Sequence, residues 1–183
     1  MIPFNYQIKV RGDCLDICVV DTSALIADTD LLYKLFWCKI IIHTVVIEEL
    51  SKLSRKHNIT GAKARKVENE LFKMKNRGDF YQGIRLRYSI IQFDDRKPKT
   101  DTYLRFGFDP KSNDNILLCV AKELQDETNQ KVTLLTGDKF VSLKAGGDIN
   151  IEYVGPTGKN KKKKKGKNKG YYNKGNELAL KKA

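Results

Sequence analysis

The chain has 183 residues, which is enough for one globular domain with a sizeable core and too few for two ordinary domains. Its formal net charge is +13, but 11 lysines and a single acid lie from Lys159 onward, so this tail carries +10 and the preceding residues only +3. The sequence shows neither a membrane-spanning run of roughly 18 apolar residues nor the apolar run of a signal peptide. We therefore expect an intracellular protein, cytoplasmic or nuclear and nucleolar, with a globular domain at 1–156 and a disordered lysine-rich tail at 157–183.

The predicted elements alternate along the chain. Strands are predicted at 17–20, 39–43, 84–93, 131–135 and 149–154, and helices at 24–36, 45–56, 62–75 and 114–125. Residues 94–112 have no clear period, and a long loop of this kind is expected at the rim of a site. The alternation predicts an α/β fold, in which a central parallel sheet forms the middle layer of a three-layer sandwich.

The cysteine and histidine content argues against a zinc site. Four cysteines lie in or beside apolar runs and none forms a CxxC pair, so we interpret them as reduced core residues: Cys14, Cys18, Cys38 and Cys119. Only two histidines are present. Any metal bound by this chain is therefore expected to be held by oxygen atoms.

Four acids lie where parallel sheets form ligand sites, at the carboxyl ends of strands and in the turns that lead into helices. Asp21 ends the apolar run in DICVVDTSALI, and Asp138 follows a later strand in VTLLTGDKF. Asp114 falls in the first turn of a predicted helix. In HTVVIEELSKLS, Glu49 lies about 60° from the centre of the apolar stripe whereas Glu48 lies nearly opposite, so Glu49 is the fourth candidate.

Each acid also has a purely structural interpretation, as a favourable charge at a helix N-terminus, a turn former, the edge of a solvated face or a strand-end loop residue. Gathered in one partly desolvated place, however, the four carboxylates would repel one another and raise each other's pKa. A divalent cation would keep them ionised, and oxygen ligands favour Mg²⁺ or Mn²⁺ over zinc or copper. The sequence therefore predicts a carboxylate site for one or two of these ions.

The motifs VVDTSALI, VVIEELSKL, NDNILLCVA and LLTGDKFVSLKA resemble, in this order, the acidic motifs of the PIN-domain nucleases. The resemblance covers about residues 15–155. The last motif is most similar to the branch that contains the nonsense-mediated-decay endonuclease and the PIN domains attached to bacterial phosphate-starvation ATPases. Two positions depart from the family pattern: Asn113 stands where some relatives carry a second acid, and Ser23 where Asn is common.

The resemblance implies a PIN-like, Rossmann-like fold that hydrolyses single-stranded RNA with Mg²⁺ or Mn²⁺, leaving a 5′-phosphate and a 3′-hydroxyl. It places the catalytic and metal-binding residues at Asp21, Glu49, Asp114 and Asp138. Hydroxyl and amide side chains beside the acids are expected to orient them or to contact phosphate: Thr22, Ser23, Asn113 and Thr136. The residues expected to bind RNA are Lys63, Arg65 and Lys66 on one helix, and Lys159, Lys161, Lys162, Lys163, Lys164, Lys165, Lys167 and Lys169 in the tail.

Several alternatives stay open. The tail could be a nuclear or nucleolar address or a solubilising segment rather than an RNA contact. The chain could also be a catalytically silent PIN-fold module for RNA binding or assembly. A homodimer or a larger RNA-processing assembly is compatible with the sequence. A phosphatase of the haloacid-dehalogenase type is set aside, because Ser23 stands where its D-x-D motif needs a second acid.

Overall fold

A six-stranded sheet forms the centre of the molecule in the computed structural model, which describes residues 16–156. The strand order is β3-β4-β2-β1-β5-β6. All neighbouring strands pair in parallel except β3 and β4, which are antiparallel. The strands are β1 (Asp16–Val20), β2 (Cys38–His43), β3 (Ile84–Arg85), β4 (Ile90–Asp94), β5 (Val132–Thr136) and β6 (Asn150–Tyr153).

Six helices flank the sheet and confirm the predicted α/β sandwich. They are α1 (Thr22–Ala27), α2 (Thr44–Ser54), α3 (Ile59–Lys75), α4 (Thr100–Phe106), α5 (Asn113–Thr128) and α6 (Lys139–Lys144). The first three helices pack against one another, whereas α4 packs on α5, which lies against β1 and β5. The central strands are nearly continuous buried apolar runs, as expected for parallel strands that are covered on both faces.

The direction in which the chain crosses the sheet reverses at β1. The following strand, β2, lies on one side of β1, and β5 lies on the other. The connections after β1 and β5 therefore lead away from each other, and a crevice opens between the carboxyl ends of these two strands. Asp21 directly follows β1 and Asp138 follows β5, so the predicted first and last acidic motifs meet at this crevice.

The predicted helix at 24–36 is wrong beyond Ala27. After α1, the carboxylate of Asp28 accepts a hydrogen bond from the backbone N–H of Asp30 at 3.1 Å, and the Lys34 ammonium binds the same carboxylate. Such local side-chain bonds give the backbone an alternative to the helix. Only a single 3₁₀ turn follows, at Leu31–Tyr33.

Residues 84–112 contain more structure than the sequence predicted. The single strand expected at 84–93 is divided into β3 and β4, which form an antiparallel pair. The expected loop contains α4, whose seven residues are too few to show a clear period. Its first turn is held by Glu123, whose carboxylate accepts hydrogen bonds from the Lys99 N–H and the Thr102 hydroxyl, each at 2.7 Å.

The cysteines of the described region are buried thiols, as predicted: Cys18, Cys38 and Cys119. Cys14 and the predictions for the tail and for both ends of the domain lie outside residues 16–156. Within residues 16–156, no helix has both the length and the apolar character needed to cross a membrane.

Candidate active site

A cavity of about 410 Å³ opens at the crevice between β1 and β5. All four acids predicted from separate motifs line it, although they come from the ends of β1 and β5 and from α2 and α5. The full lining is Asp21, Thr22, Ser23, Ile26, Glu49, Lys52, Leu53, Thr60, Asp114 and Asp138. The sheet topology thus brings together carboxylates that are up to 117 positions apart in sequence.

Asp21 is the most buried of the four, with 5% of its surface exposed. Its Oδ2 accepts hydrogen bonds from the Ser23 hydroxyl and, at 2.7 Å, from the Thr136 hydroxyl. Burial raises the pKa of this carboxyl group; the two hydroxyls lower it in part, and the charges of Glu49 and Asp114 raise it further. The fold therefore holds a carboxylate here at an energetic cost.

Hydrogen bonds join the turn after β5 to the start of α1. The Gly137 N–H donates to the Ser23 hydroxyl at 2.8 Å, and the Asp138 N–H donates to the Thr136 hydroxyl at 3.0 Å. A Cβ atom on Gly137 would lie 2.7 Å from the Ser23 carbonyl oxygen, which is a severe overlap. Glycine is required because the two turns approach this closely, and the DTS and TGD motifs thereby form one unit.

Both carboxylate oxygens of Glu49 are occupied. The Thr22 hydroxyl donates to Oε2 and the Asn113 amide donates to Oε1, each at 2.6 Å. Glu48 is exposed and lines a different groove, as its position nearly opposite the apolar stripe of the helix indicates. Two side chains that the sequence predicted to support the acids, Thr22 and Asn113, therefore contact the same glutamate.

Asp114 and Asp138 have structural contacts as well as a place in the cavity. The Lys144 ammonium lies 3.3 Å from Asp114 Oδ2, and both side chains are partly exposed. Asp138 caps α6, since its Oδ1 accepts a hydrogen bond from the Phe140 N–H at 2.8 Å. Asp114 also lies in the first turn of α5, so both acids have a role at a helix start and both still line the cavity.

The donor atoms suit a hard divalent cation, but they are not arranged around one. Within residues 16–156, no three His, Cys, Asp or Glu side chains form a ready-made metal-binding group. Each cavity acid is instead stabilised separately, by hydroxyls, an amide, a backbone N–H or a lysine. Carboxylate and hydroxyl oxygens are the ligands that Mg²⁺ and Mn²⁺ prefer. Burial and neighbouring acids raise the pKa of Asp21, so its ionised form is disfavoured in the free protein. A bound cation would stabilise that ionised form, and this set of residues therefore fits such an ion.

The basic residues predicted on α3 do not line the cavity. The Lys63 ammonium donates to the Ile26 carbonyl oxygen at 2.9 Å. Arg65 donates to backbone carbonyls at the end of α2, and Lys66 pairs with Asp30 at 2.8 Å. In this arrangement the three side chains join α3 to neighbouring segments, and their contact with RNA stays a prediction. The predicted tail lysines lie outside the described residues.

Two polar residues of the cavity were not predicted, Lys52 and Thr60. Lys52 follows Glu49 by three positions on α2, so its place on the same helix face could have been found from the sequence. Thr60 reaches the cavity because the start of α3 packs beside α1 and α2. That packing leaves no signal in the local sequence.

The chain is similar to known proteins in three respects. Residues 18–149 match a family model described as a PIN domain. Protein PhoH2 of Bacillus subtilis (strain 168) is 28% identical over 132 residues, which make up 69% of this chain and 30% of that protein. A solved domain of a functionally unknown protein from Methanocaldococcus jannaschii DSM 2661 is 20% identical, with a TM-score of 0.47, and the match covers 79% of this chain and 94% of that one.

Proposed function

This chain belongs to the PIN-domain family, whose members are generally nucleases, and from that premise we propose that it is a metal-dependent endoribonuclease acting on single-stranded RNA. One observation carries the proposal: four carboxylates from four separate motifs line a single cavity at the reversal point of the sheet. The most deeply buried of them, Asp21, has a raised pKa and no basic partner among residues 16–156. Carboxylates with a pKa perturbed in this way are typical of functional sites.

In the proposed mechanism Asp21, Glu49, Asp114 and Asp138 would hold Mg²⁺ or Mn²⁺. Such an ion would supply activation of water at neutral pH and compensation of the negative charge that develops on the phosphate during hydrolysis.

The side chains around the acids keep them in position. The hydroxyls of Ser23 and Thr136 fix Asp21 through Oδ2, while Oδ1 accepts no hydrogen bond from residues 16–156 and remains available. Thr22 and Asn113 hold Glu49 from both sides. Supporting hydrogen bonds of this kind restrict a ligand to few orientations, which raises the affinity of a metal site.

The Lys52 side chain supplies a positive charge at the rim of the acidic cavity. It is exposed and lines the cavity one helical turn after Glu49. Its ammonium group binds a phosphate of the RNA and so draws the polyanion toward an acidic cavity that would otherwise repel it.

The lysine-rich segment adds affinity without adding sequence preference. Lys159 to Lys169 contains eight lysines, which gives a salt-dependent attraction to phosphates. Removal of residues 159–183 is expected to weaken RNA binding and to flatten its dependence on salt, yet to leave cleavage at low salt. An unchanged affinity would assign this segment to targeting instead.

The decisive experiment is cleavage of an end-labelled single-stranded RNA in Mn²⁺, Mg²⁺ or EDTA. Asn at position 138 can still cap α6, so the double variant Asp21→Asn, Asp138→Asn removes two charges with little change of shape. We expect the wild type to cut only with metal and the double variant not to cut. Glu49→Gln should also lose cleavage, whereas the neighbouring Glu48→Gln serves as a matched control and should retain it.

A second candidate function follows from the absence of a ready-made metal-binding group among residues 16–156. A silent PIN-fold module would bind RNA through the same surface without cutting it. Tight RNA binding in EDTA together with no cleavage in either metal would favour this module over the nuclease. Cleavage by wild type and double variant alike would contradict the assignment of the acids.

A further inference from the structure

Two exposed aromatic side chains and one lysine lie on the elements that border the acidic cavity, outside its lining. They are Lys139 and Phe140 at the start of α6 and Tyr153 at the end of β6, and we call these three residues the aromatic strip. Phe140 is 72% exposed and Tyr153 is 43% exposed. The Lys139 ammonium lies 5.9 Å from the centre of the Tyr153 ring, so the lysine and this ring belong to one surface. The mechanism proposed above uses none of the three residues.

The register of the sheet places Tyr153 close to the site. Thr136 is the partner of Tyr153 in the β5–β6 pair, and the Thr136 hydroxyl contacts Asp21. Asp21 is the next residue after Val20, which pairs with Leu135. The three residues therefore form a row across the carboxyl edge of the sheet. With neighbouring strands about 4.8 Å apart, Tyr153 lies roughly 10 Å from Asp21 along this row.

Phe140 adjoins the cavity from the side of α6. Its backbone N–H donates to the Asp138 carboxylate, which lines the cavity. Leu143, one turn later on α6, is 78% exposed. Large side chains left in water contribute little to the stability of the fold, since an apolar side chain gains stability by being buried. The exposed ring of Phe140 is therefore free to contact a ligand, and its place beside Asp138 distinguishes it from other exposed rings.

The chemistry of the strip matches single-stranded nucleic acid. Aromatic faces stack on unpaired bases of any sequence, and ammonium groups bind the phosphates between the bases. Lys139 takes part in none of the ion pairs found within residues 16–156, so its charge is available for a phosphate. Stacking on either ring needs an unpaired base, so this surface favours a single strand over a duplex.

We propose that the aromatic strip is the subsite for the nucleotides next to the bond that is cut, with bases stacked on Phe140 and Tyr153 and a phosphate bound by Lys139. This inference rests on the proposed function. It assigns the preference for single strands to particular residues of the domain, apart from the four acids and from the lysine-rich tail.

The test measures affinity in EDTA, where no cleavage occurs, by fluorescence anisotropy of a labelled single-stranded RNA. Phe140→Ala and Tyr153→Ala should each weaken binding by about 5- to 150-fold, which is the range for loss of one stacked base. Phe140→Trp and Tyr153→Phe should keep the affinity, because they keep a ring. A duplex of the same sequence should bind the wild type and the alanine variants alike.

Phe72→Ala is the matched control. Phe72 is 67% exposed, but it follows Thr60 by 12 positions on α3, which is about 18 Å along the helix axis. Its replacement should change RNA affinity by less than about twofold, since a surface ring away from the strip stacks on no base. Because Phe72 and Phe140 are both exposed, neither replacement is expected to unfold the protein, and thermal melting verifies this.

Three results would overturn the proposal. The first is unchanged RNA affinity in both alanine variants, and the second is an equal loss of affinity in Phe72→Ala. The third is a change from dimer to monomer in Phe140→Ala, detected by analytical ultracentrifugation, with RNA affinity unchanged, since the strip would then be an interface between two copies. If cleavage fails in the wild type, the proposed function fails, but the affinities in EDTA still decide the role of the strip.

Discussion

Two buried aspartates mark the two ends of α1, and their surroundings differ. Asp21 precedes the helix and is 5% exposed, and Asp28 follows it and is 1% exposed. The Lys34 ammonium binds Asp28, which also accepts a backbone hydrogen bond. Asp21 is met only by the neutral hydroxyls of Ser23 and Thr136 within residues 16–156.

The charges around the two aspartates explain what each contributes. Asp28 has its own cation and is part of the scaffold, since loss of one partner of such a pair leaves the other charge uncompensated. Asp21 instead lies near two further acids, Glu49 and Asp114, whose charges raise its pKa. A carboxylate that is buried beside other negative charges destabilises the protein when no cation is bound. Binding of a cation during function would explain why such a carboxylate is present at this position. Four predictions test this difference, beginning with the largest effect.

The first prediction concerns activity. Asp21→Asn is expected to lower RNA cleavage in Mn²⁺ by about a thousandfold or more, because it removes the most buried negative charge of the cavity. Asp28→Asn should leave cleavage within a few-fold of the wild type. The assay is single-turnover cleavage of labelled RNA. An equal loss of cleavage in both variants would mean that each substitution damages α1, and that the two aspartates do not differ in function.

The second prediction concerns Ser23, which joins Asp21 to the turn at Gly137. Ser23→Ala removes a donor to the Asp21 carboxylate and the acceptor of the Gly137 N–H. We expect cleavage to fall by about 10- to 100-fold, as is usual for a residue that orients a metal ligand. Raising the Mn²⁺ concentration should recover part of the loss. A defect independent of metal concentration would contradict the orienting role.

The third prediction concerns stability at the other end of the helix. Asp28→Asn should lower the free energy of unfolding by about 1–3 kcal/mol, because a buried polar group loses its charged partner. Thermal melting would show this as a lower Tm, by roughly 2–4 °C for each kcal/mol. Asp30→Asn is the control: its ion pair with Lys66 is exposed on both sides, so a change within about 1 kcal/mol is expected.

The fourth prediction is a small stability change of opposite sign. The folded-state pKa of Asp21 is raised above its ordinary value of 3.8, so folded wild type binds more protons than the unfolded chain between these two pH values. Its stability therefore falls as the pH rises through this interval. Asp21→Asn lacks this loss, so in EDTA its Tm should exceed that of the wild type at pH 7.

Melting curves at several pH values test the fourth prediction. The two proteins should approach the same pH dependence below about pH 4, where Asp21 is protonated in both states. Adding Mn²⁺ at pH 7 should raise the Tm of the wild type more than that of the variant, since the variant has lost a ligand. A lower Tm of the variant in EDTA at pH 7 would contradict the energetic cost assigned to Asp21.

Local patterns led to four acids that share one cavity, whereas the basic residues predicted on α3 do not line it. Asp21 was found because an apolar strand ends on it, and Glu49 because helical geometry separates it from Glu48. Lys63 is predicted to contact RNA because it is basic and lies on a helix that could flank the groove; in the structure its ammonium donates to the Ile26 carbonyl oxygen. A lysine pattern does not reveal which backbone carbonyl lies within reach, because that depends on how α3 packs against α1.

The sequence by itself determined the α/β class and the PIN-domain family, and it led to four acids that line one cavity, because strand periodicity and strand ends are local properties. Only the tertiary structure decided that α1 stops at Ala27, that Thr60 and Lys52 share the cavity with the acids, and that Tyr153 lies two strands from Asp21. Those features depend on strand order, helix packing and the burial of single charges, which are set by contacts between residues far apart in the chain.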